Sequence, residues 1–349
     1  QQSIIQPCVL SEWPLVNGKL NNSSQVSGII ATSKNLMVII VHTKKQQLEA
    51  IFLIALSGIL YGFMGFFGTN ILKENFSVET MLFWRFFMAS LIIGLILISK
   101  RDAKTQSSRK DIYTAFVNGA IFYSLSTLFY FLACPYIGSG LAMVIMFTFP
   151  AMVMLFNHFL YKKDIPKIYY FALTIIIIGM CFFVDRNEMR FDIVGIALST
   201  LSALFYACYI VSSKKITSLS PHLSTLTICL GCTTTFFFFS CLNHTLSIPA
   251  TLTIWLDLIG ISFFSTAAPV MLLMYSLNYI NSEKAAILSV LEPVFVVILG
   301  VTLLDEPMKL QYVAGIIIVL TGALLTLFSQ QVNLTLREIT EDKSEADIG

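Results

Sequence analysis

From about Glu49 to about Gln330 the chain alternates ten apolar stretches of roughly twenty residues with short polar breaks. As a helix rising ~1.5 Å per residue, each stretch is long enough to cross ~30 Å of hydrocarbon, where a helix satisfies its own backbone hydrogen bonds without water. The pattern predicts helices at 50–71, 78–99, 112–133, 137–160, 167–184, 193–212, 223–242, 256–278, 284–304 and 310–329. The expected fold class is an all-α membrane protein with ten transmembrane helices.

Composition agrees. Hydrophobic residues make up 56% of the chain and charged residues 12%, with 29 Phe and a mean hydropathy of +0.79. A soluble domain carries about 25% charged residues, so this chain cannot clothe itself in a water-facing surface. The net charge of +2 says little, but its distribution says more. With the N-terminus inside, fourteen Lys and Arg between Lys34 and Lys284 fall in inner segments, including Lys100, Arg101, Lys162, Lys163, Lys214 and Lys215. Only Lys73, Arg186, Arg190 and Lys309 fall outside. This bias marks the cytoplasmic side, and an even number of spans returns the C-terminus to it.

The two ends are of different character. Residues 1–48 read as a cytoplasmic extension whose polar, turn-rich first 36 residues lack the basic and apolar regions of a secretory signal; Met37 is a candidate start of a shorter product. Residues 330–349 end in EITEDKSEADIG, an acidic tail expected to be disordered. Seven cysteines lie mostly inside the apolar stretches. Cys229 and Cys232 form a CxxC, but no His, carboxylate or second Cys pair accompanies it in the same helix, so neither a metal nor another cofactor is expected. The sequons at Asn75, Asn243 and Asn333 are short enough to arise by chance.

The chain contains an internal repeat. FPAMVMLFNHFLYKKDIPKIYYFALTIIIIGMCFF matches EPVFVVILGVTLLDEPMKLQYVAGIIIVLTGALLTLF at a constant offset of 143, which places Pro150 on Pro293, Leu160 on Leu303 and Gly179 on Gly322. The front ends correspond at an offset larger by two, with Leu60, Tyr61 and Gly62 on Phe205, Tyr206 and Ala207. Each repeat holds five expected spans, and an odd number inverts the second relative to the first. Two inverted five-helix repeats around a central cavity are the structural basis of alternating access.

These halves resemble the EamA-type domains of the drug/metabolite transporter superfamily over about residues 50–329. The resemblance rests on PVFVVILGVTLLDEPMKLQYVAGIIIVLTG, on its repeat copy and on FWRFFMAS in the second stretch. It implies a first repeat at 49–186 and a second at 187–329, both termini cytoplasmic, and secondary transport of small metabolites in the bacterial inner membrane. It also directs attention to Glu306, whose counterpart in the first repeat is Lys163.

Glu292 is the foremost candidate for a site, because a carboxylate within a span costs several kcal/mol unless it faces protein, water or a partner. It could take a substrate or a coupling proton, or it could hold the bundle by a structural polar contact. Pro293 lacks an N–H, so the carbonyl of Ser289 is expected to lose its helical partner and become available to a ligand. The equivalent helix break falls at Pro150, while the equivalent of Glu292 is Phe149. Arg85 is the other charge within a span, with snorkelling to the outer headgroups and anion contact at the outer mouth both open. Asn118, Asn157 and His158 are weaker polar candidates. Tyr61, Tyr123, Tyr130, Tyr206, Tyr209 and Tyr275, with Trp84, could line a cavity while offering hydroxyls, or contact lipid instead. Gly58, Gly62, Gly65 and Gly68 suit close helix packing.

The expected partners are a small polar or amphipathic solute, with amino acids among the candidates, membrane lipids and, as one option, protons. No nucleotide-binding GxxxxGK[ST] and no HExxH occur, and the basic residues form no nucleic-acid-binding face. A rival reading of another class is a non-transporting membrane scaffold or lipid-interacting protein with the same packing.

Overall fold

The computed structural model describes residues 23–73, 76–100, 107–184, 192–303 and 309–326. It divides into two units, Gln1–Gln46 and Gln47–Gly349. In the first, residues 23–46 are helical. The expected disordered tail, the sequons at Asn75 and Asn333, and Asp305 with Glu306 lie outside the described residues.

Among the described residues every regular element is helical. In chain order the apolar helices are α1 (Lys45–Leu72), α2 (Val78–Ser99), α3 (Arg109–Ile137), α4 (Ser139–Tyr161), α5 (Lys167–Cys181), α6 (Ile193–Ser213), α7 (Pro221–Leu242), α8 (Leu252–Leu277), α9 (Ser282–Leu303) and α10 (Leu310–Thr326). Eight are long and apolar enough to cross a membrane; α5 and α10 are shorter. Local chemistry sets the helix ends. Asp192 caps α6 by accepting the N–H groups of Val194 and Gly195, and Ser220 caps α7 by accepting that of Leu223, with Pro221 in the first turn where its missing N–H costs nothing. Lys162 ends α4 in the left-handed conformation at φ 50°.

Two irregularities recur in both halves. α4 breaks at Phe147 and Thr148, and α9 breaks at Ser289 and Val290, just ahead of the repeat-matched Pro150 and Pro293. α3 carries a π segment at Asn118–Tyr123 and α8 one at Phe263–Ala267, starting 145 positions apart. A π turn diverts carbonyls from their usual α-helical partners, and neighbouring helices supply donors here. The Ala120 carbonyl accepts from Thr235 Oγ1 of α7 at 2.6 Å, and its repeat counterpart, the Ser265 carbonyl, accepts from Arg85 Nη2 of α2 at 2.9 Å.

Contacts between the halves also come in repeat-related pairs. Ser57 of α1 donates to the Pro269 carbonyl of α8 at 2.9 Å, while Ser202 of α6, the counterpart of Ser57, donates to the Ser126 carbonyl of α3 at 2.8 Å. α3 and α7 cross backbone to backbone at Gly119 and Gly231, where an added Cβ would overlap the carbonyl oxygens of Ile228 and Phe116 respectively. Cys232 Sγ meets the Gly119 carbonyl at 3.2 Å in this seam, which gives the second cysteine of the CxxC a packing role.

Candidate functional site

A cavity of about 660 Å³ opens between α1, α2, α3, α4, α6, α9 and α10, within the range of small-molecule sites. Its deepest part is built from tyrosines, Arg85 and Glu292. The Tyr61 and Tyr123 hydroxyls lie 3.3 Å apart, and the Tyr123 ring stacks on Tyr209 with centroids 4.8 Å apart. Tyr206 sits edge-on to Phe149 at 4.6 Å, so the uncharged counterpart of Glu292 is packed away in the aromatic core. From this floor the cavity runs to one end of the bundle, past Leu72, Cys134, Ser139, Gly140, Gly300 and Tyr312.

Glu292 faces this cavity and is half-buried. No hydrogen bond or ion pair joins its carboxylate to another described residue. It stands within electrostatic reach of Arg85, Tyr130 and Tyr206. The helix break ahead of Pro293 is present, but the Ser289 carbonyl is not left free. It accepts the Glu292 N–H at 3.1 Å in a tightened turn, and the Ser289 hydroxyl bonds back to the Ala285 carbonyl. The tightened turn recovers locally the partner that the proline removes.

Arg85 is fully buried and does not snorkel. Its Nε donates to Thr266 Oγ1 at 2.7 Å, its Nη2 to the Ser265 carbonyl, and its Nη1 meets Met64 Sδ at 3.4 Å. Three neutral acceptors therefore hold a cation beside the cavity, and no carboxylate joins them among the described residues. Trp84 points elsewhere, donating to the Ser247 carbonyl and lying edge-on to Trp255.

Of the expected tyrosines, Tyr61, Tyr123, Tyr130 and Tyr206 line the cavity. Tyr209 stands behind Tyr123, fully buried, with no hydrogen-bond partner for its hydroxyl among the described residues. Tyr275 is not among the lining residues; it packs on Tyr279 with centroids 5.1 Å apart. Gly58 and Gly62 let α1 approach α9 closely: a Cβ on Gly62 would stand 2.8 Å from Phe295 Cβ. Asn118 bridges to Ser212 and Ser213 at the end of α6, and His158 Nδ1 lies 3.2 Å from the Lys163 carbonyl. Asn157 donates to Ser282 Oγ across α4 and α9, a pairing that sequence reasoning missed. No local sequence signal marks it, because the two residues lie 125 positions apart on different helices.

A family model described as the EamA-like transporter family matches residues 48–184 and 193–328. An uncharacterized transporter, YxxF, of Bacillus subtilis (strain 168) is 23% identical over 303 residues, covering 83% of this chain and 93% of that protein. A crystal structure of a protein at 15% identity superposes with a TM-score of 0.67, covering 81% of this chain and 98% of the other, a likeness of fold.

Proposed function

Since the chain belongs to the EamA-like transporter family, we propose that it is a secondary transporter that moves a small polar or amphipathic metabolite by alternating access between two inverted five-helix repeats. All ten helices cross the membrane in this reading. α5 and α10 cross as short spans of ~22 and ~25 Å, with the residues at their ends completing the passage or the bilayer thinning beside them. Both termini are cytoplasmic, as the charge bias indicates, and the cavity faces outward.

The observation that carries the reading is the Glu292 carboxylate, without a hydrogen-bond or ion-pair partner among the described residues, in a cavity that reaches one end of the bundle. A charge held away from bulk water without a protein partner is stabilised by a ligand cation or by a proton. Glu292 therefore receives the amino group of a substrate or carries the coupling proton. The Tyr61, Tyr130 and Tyr206 rings and hydroxyls surround the apolar part of the solute. Arg85 balances the charge of Glu292 from its buried position, so a solute bearing both an amine and a carboxylate, such as an amino acid, meets a floor of balanced charge.

Purified protein in sealed vesicles, challenged with a metabolite mixture, tests this directly. Saturable uptake or counterflow is expected. Repeated absence of flux with folded protein would overturn it in favour of a membrane scaffold or lipid-interacting protein.

A further inference from the structure

The end of the bundle opposite the cavity mouth is sealed by a small polar cluster. Asn157 Nδ2 of α4 donates to Ser282 Oγ of α9 at 3.0 Å, and Ser282 Oγ in turn donates to Glu283 Oε2 at 3.3 Å. Tyr169 of α5 lies within electrostatic reach of Glu283. All four residues are buried, none more than 9% exposed.

The positions 143 residues away in the other repeat form the mouth. Asn157 corresponds to Gly300, Ser282 to Ser139, Glu283 to Gly140 and Tyr169 to Tyr312. Each of these counterparts lines the cavity at its open end. One set of four positions is thus packed together at one end of the molecule and spread around an opening at the other. Serine and tyrosine are kept in both sets, whereas the amide and the carboxylate occur only at the sealed end.

We propose that these two sets are the gates of the transport cycle and that Asn157–Ser282 is a latch without an equivalent at the other gate, so that the open mouth is the resting state. The inference rests on the transporter reading. When the mouth closes, Ser139 approaches Gly300, which has no side-chain amide to pair with it. The sealed end gains a buried hydrogen bond each time it shuts, and the equilibrium tilts toward the arrangement seen here.

The test equalises the gates. Asn157→Gly gives the sealed end the residue of the mouth, and Gly300→Asn gives the mouth the residue of the sealed end. Full-length protein in sealed vesicles is treated with a membrane-permeant alkylating reagent and read by peptide mass spectrometry at two cysteines. One is the native Cys134, which lines the cavity; the other is an added Ala286→Cys, which is buried between the floor and the latch. With Asn157→Gly, alkylation at 286 should rise roughly fivefold, the ratio expected for loss of one buried hydrogen bond. With Gly300→Asn, Cys134 should react more slowly. Unchanged rates at 286 in a folded Asn157→Gly protein would overturn the latch. Should that variant fail to fold, an unchanged Cys134 rate in Gly300→Asn would overturn it equally. Solute flux through the unmodified protein, measured in parallel vesicles, reports separately on the transporter reading: flux with unchanged alkylation removes only the latch, and no flux removes the reading beneath it.

Discussion

Gly179 of α5 lies flat against Val319 of α10: a Cβ on Gly179 would stand 2.9 Å from the Val319 amide nitrogen. The counterparts repeat the contact, since a Cβ on Gly322 would stand 2.6 Å from Ile176 Cγ1 and 2.9 Å from the Ala172 carbonyl oxygen. The crossing of the two short helices is therefore built twice from equivalent residues, and both approaches are limited by backbone atoms that cannot step aside.

Gly179→Ala and Gly322→Ala should each destabilise the protein by about 1–3 kcal/mol, the usual cost of forcing atoms into a filled contact. Gly94→Ala is the control, because an added Cβ there meets nothing within 4 Å. It should be neutral or stabilising by up to ~1 kcal/mol through helix propensity. Thermal unfolding in detergent reads all three, and equal melting temperatures would contradict the crossing.

Glu292→Gln should fold, since the amide keeps the size of the acid, while accumulation of solute falls by at least about tenfold, the effect of losing ~1.4 kcal/mol of differential stabilisation. Exchange that survives without accumulation assigns the carboxylate to the proton. Loss of both exchange and binding assigns it to the substrate. Transport at the wild-type level by the Gln variant would leave Glu292 a structural residue.

Arg85→Lys should be costly although the charge is kept. A single ammonium cannot reproduce the planar fork that serves Thr266, Ser265 and Met64. A loss of about 2 kcal/mol is expected, with Thr266→Ala losing less because the Ser265 carbonyl keeps its donor. A stable Arg85→Lys protein, judged by its melting temperature, would show that the π segment of α8 does not depend on this clamp.

Orientation can be read by single cysteines placed at Ser107, Asn187 and Ser344. An impermeant reagent applied to intact cells should label position 187 alone. Labelling at 107 or 344 would sink the assignment of both termini to the cytoplasm.

The apolar stretches were legible because ~20 residues without charge have few ways to fold in or out of a membrane, and the helices lie within a few residues of the expected positions. Glu292 stood out for the same reason, as a charge where charge is expensive. The fate of Arg85 was hidden because its place along α2 gives depth but not direction, and its partners lie about 180 positions away. Tyr275 shows the same limit on α8, where sequence spacing did not tell the cavity-facing side from the side that packs on Tyr279. The Ser289 carbonyl was misjudged for a local reason. The missing N–H of Pro293 was counted correctly, but the tightened turn that brings in the Glu292 N–H was not foreseen. The π segments left no mark in the hydrophobic pattern, because one extra residue per turn shifts an apolar face only within other apolar residues.

The seam at Gly119 and Gly231 bears on how freely this sequence can drift. Every other amino acid brings a Cβ, and at both positions that atom would collide with a backbone carbonyl of the facing helix. Either codon is therefore closed to change unless α3 and α7 move apart, whereas lining positions such as Tyr130, Met143 and Val297 make no such backbone contact. In a saturation library selected for membrane insertion alone, glycine should persist at 119 and 231 while Tyr130, Met143 and Val297 diversify. A chain built this way can change the lining of its cavity by local substitution while the seam that holds its frame stays fixed.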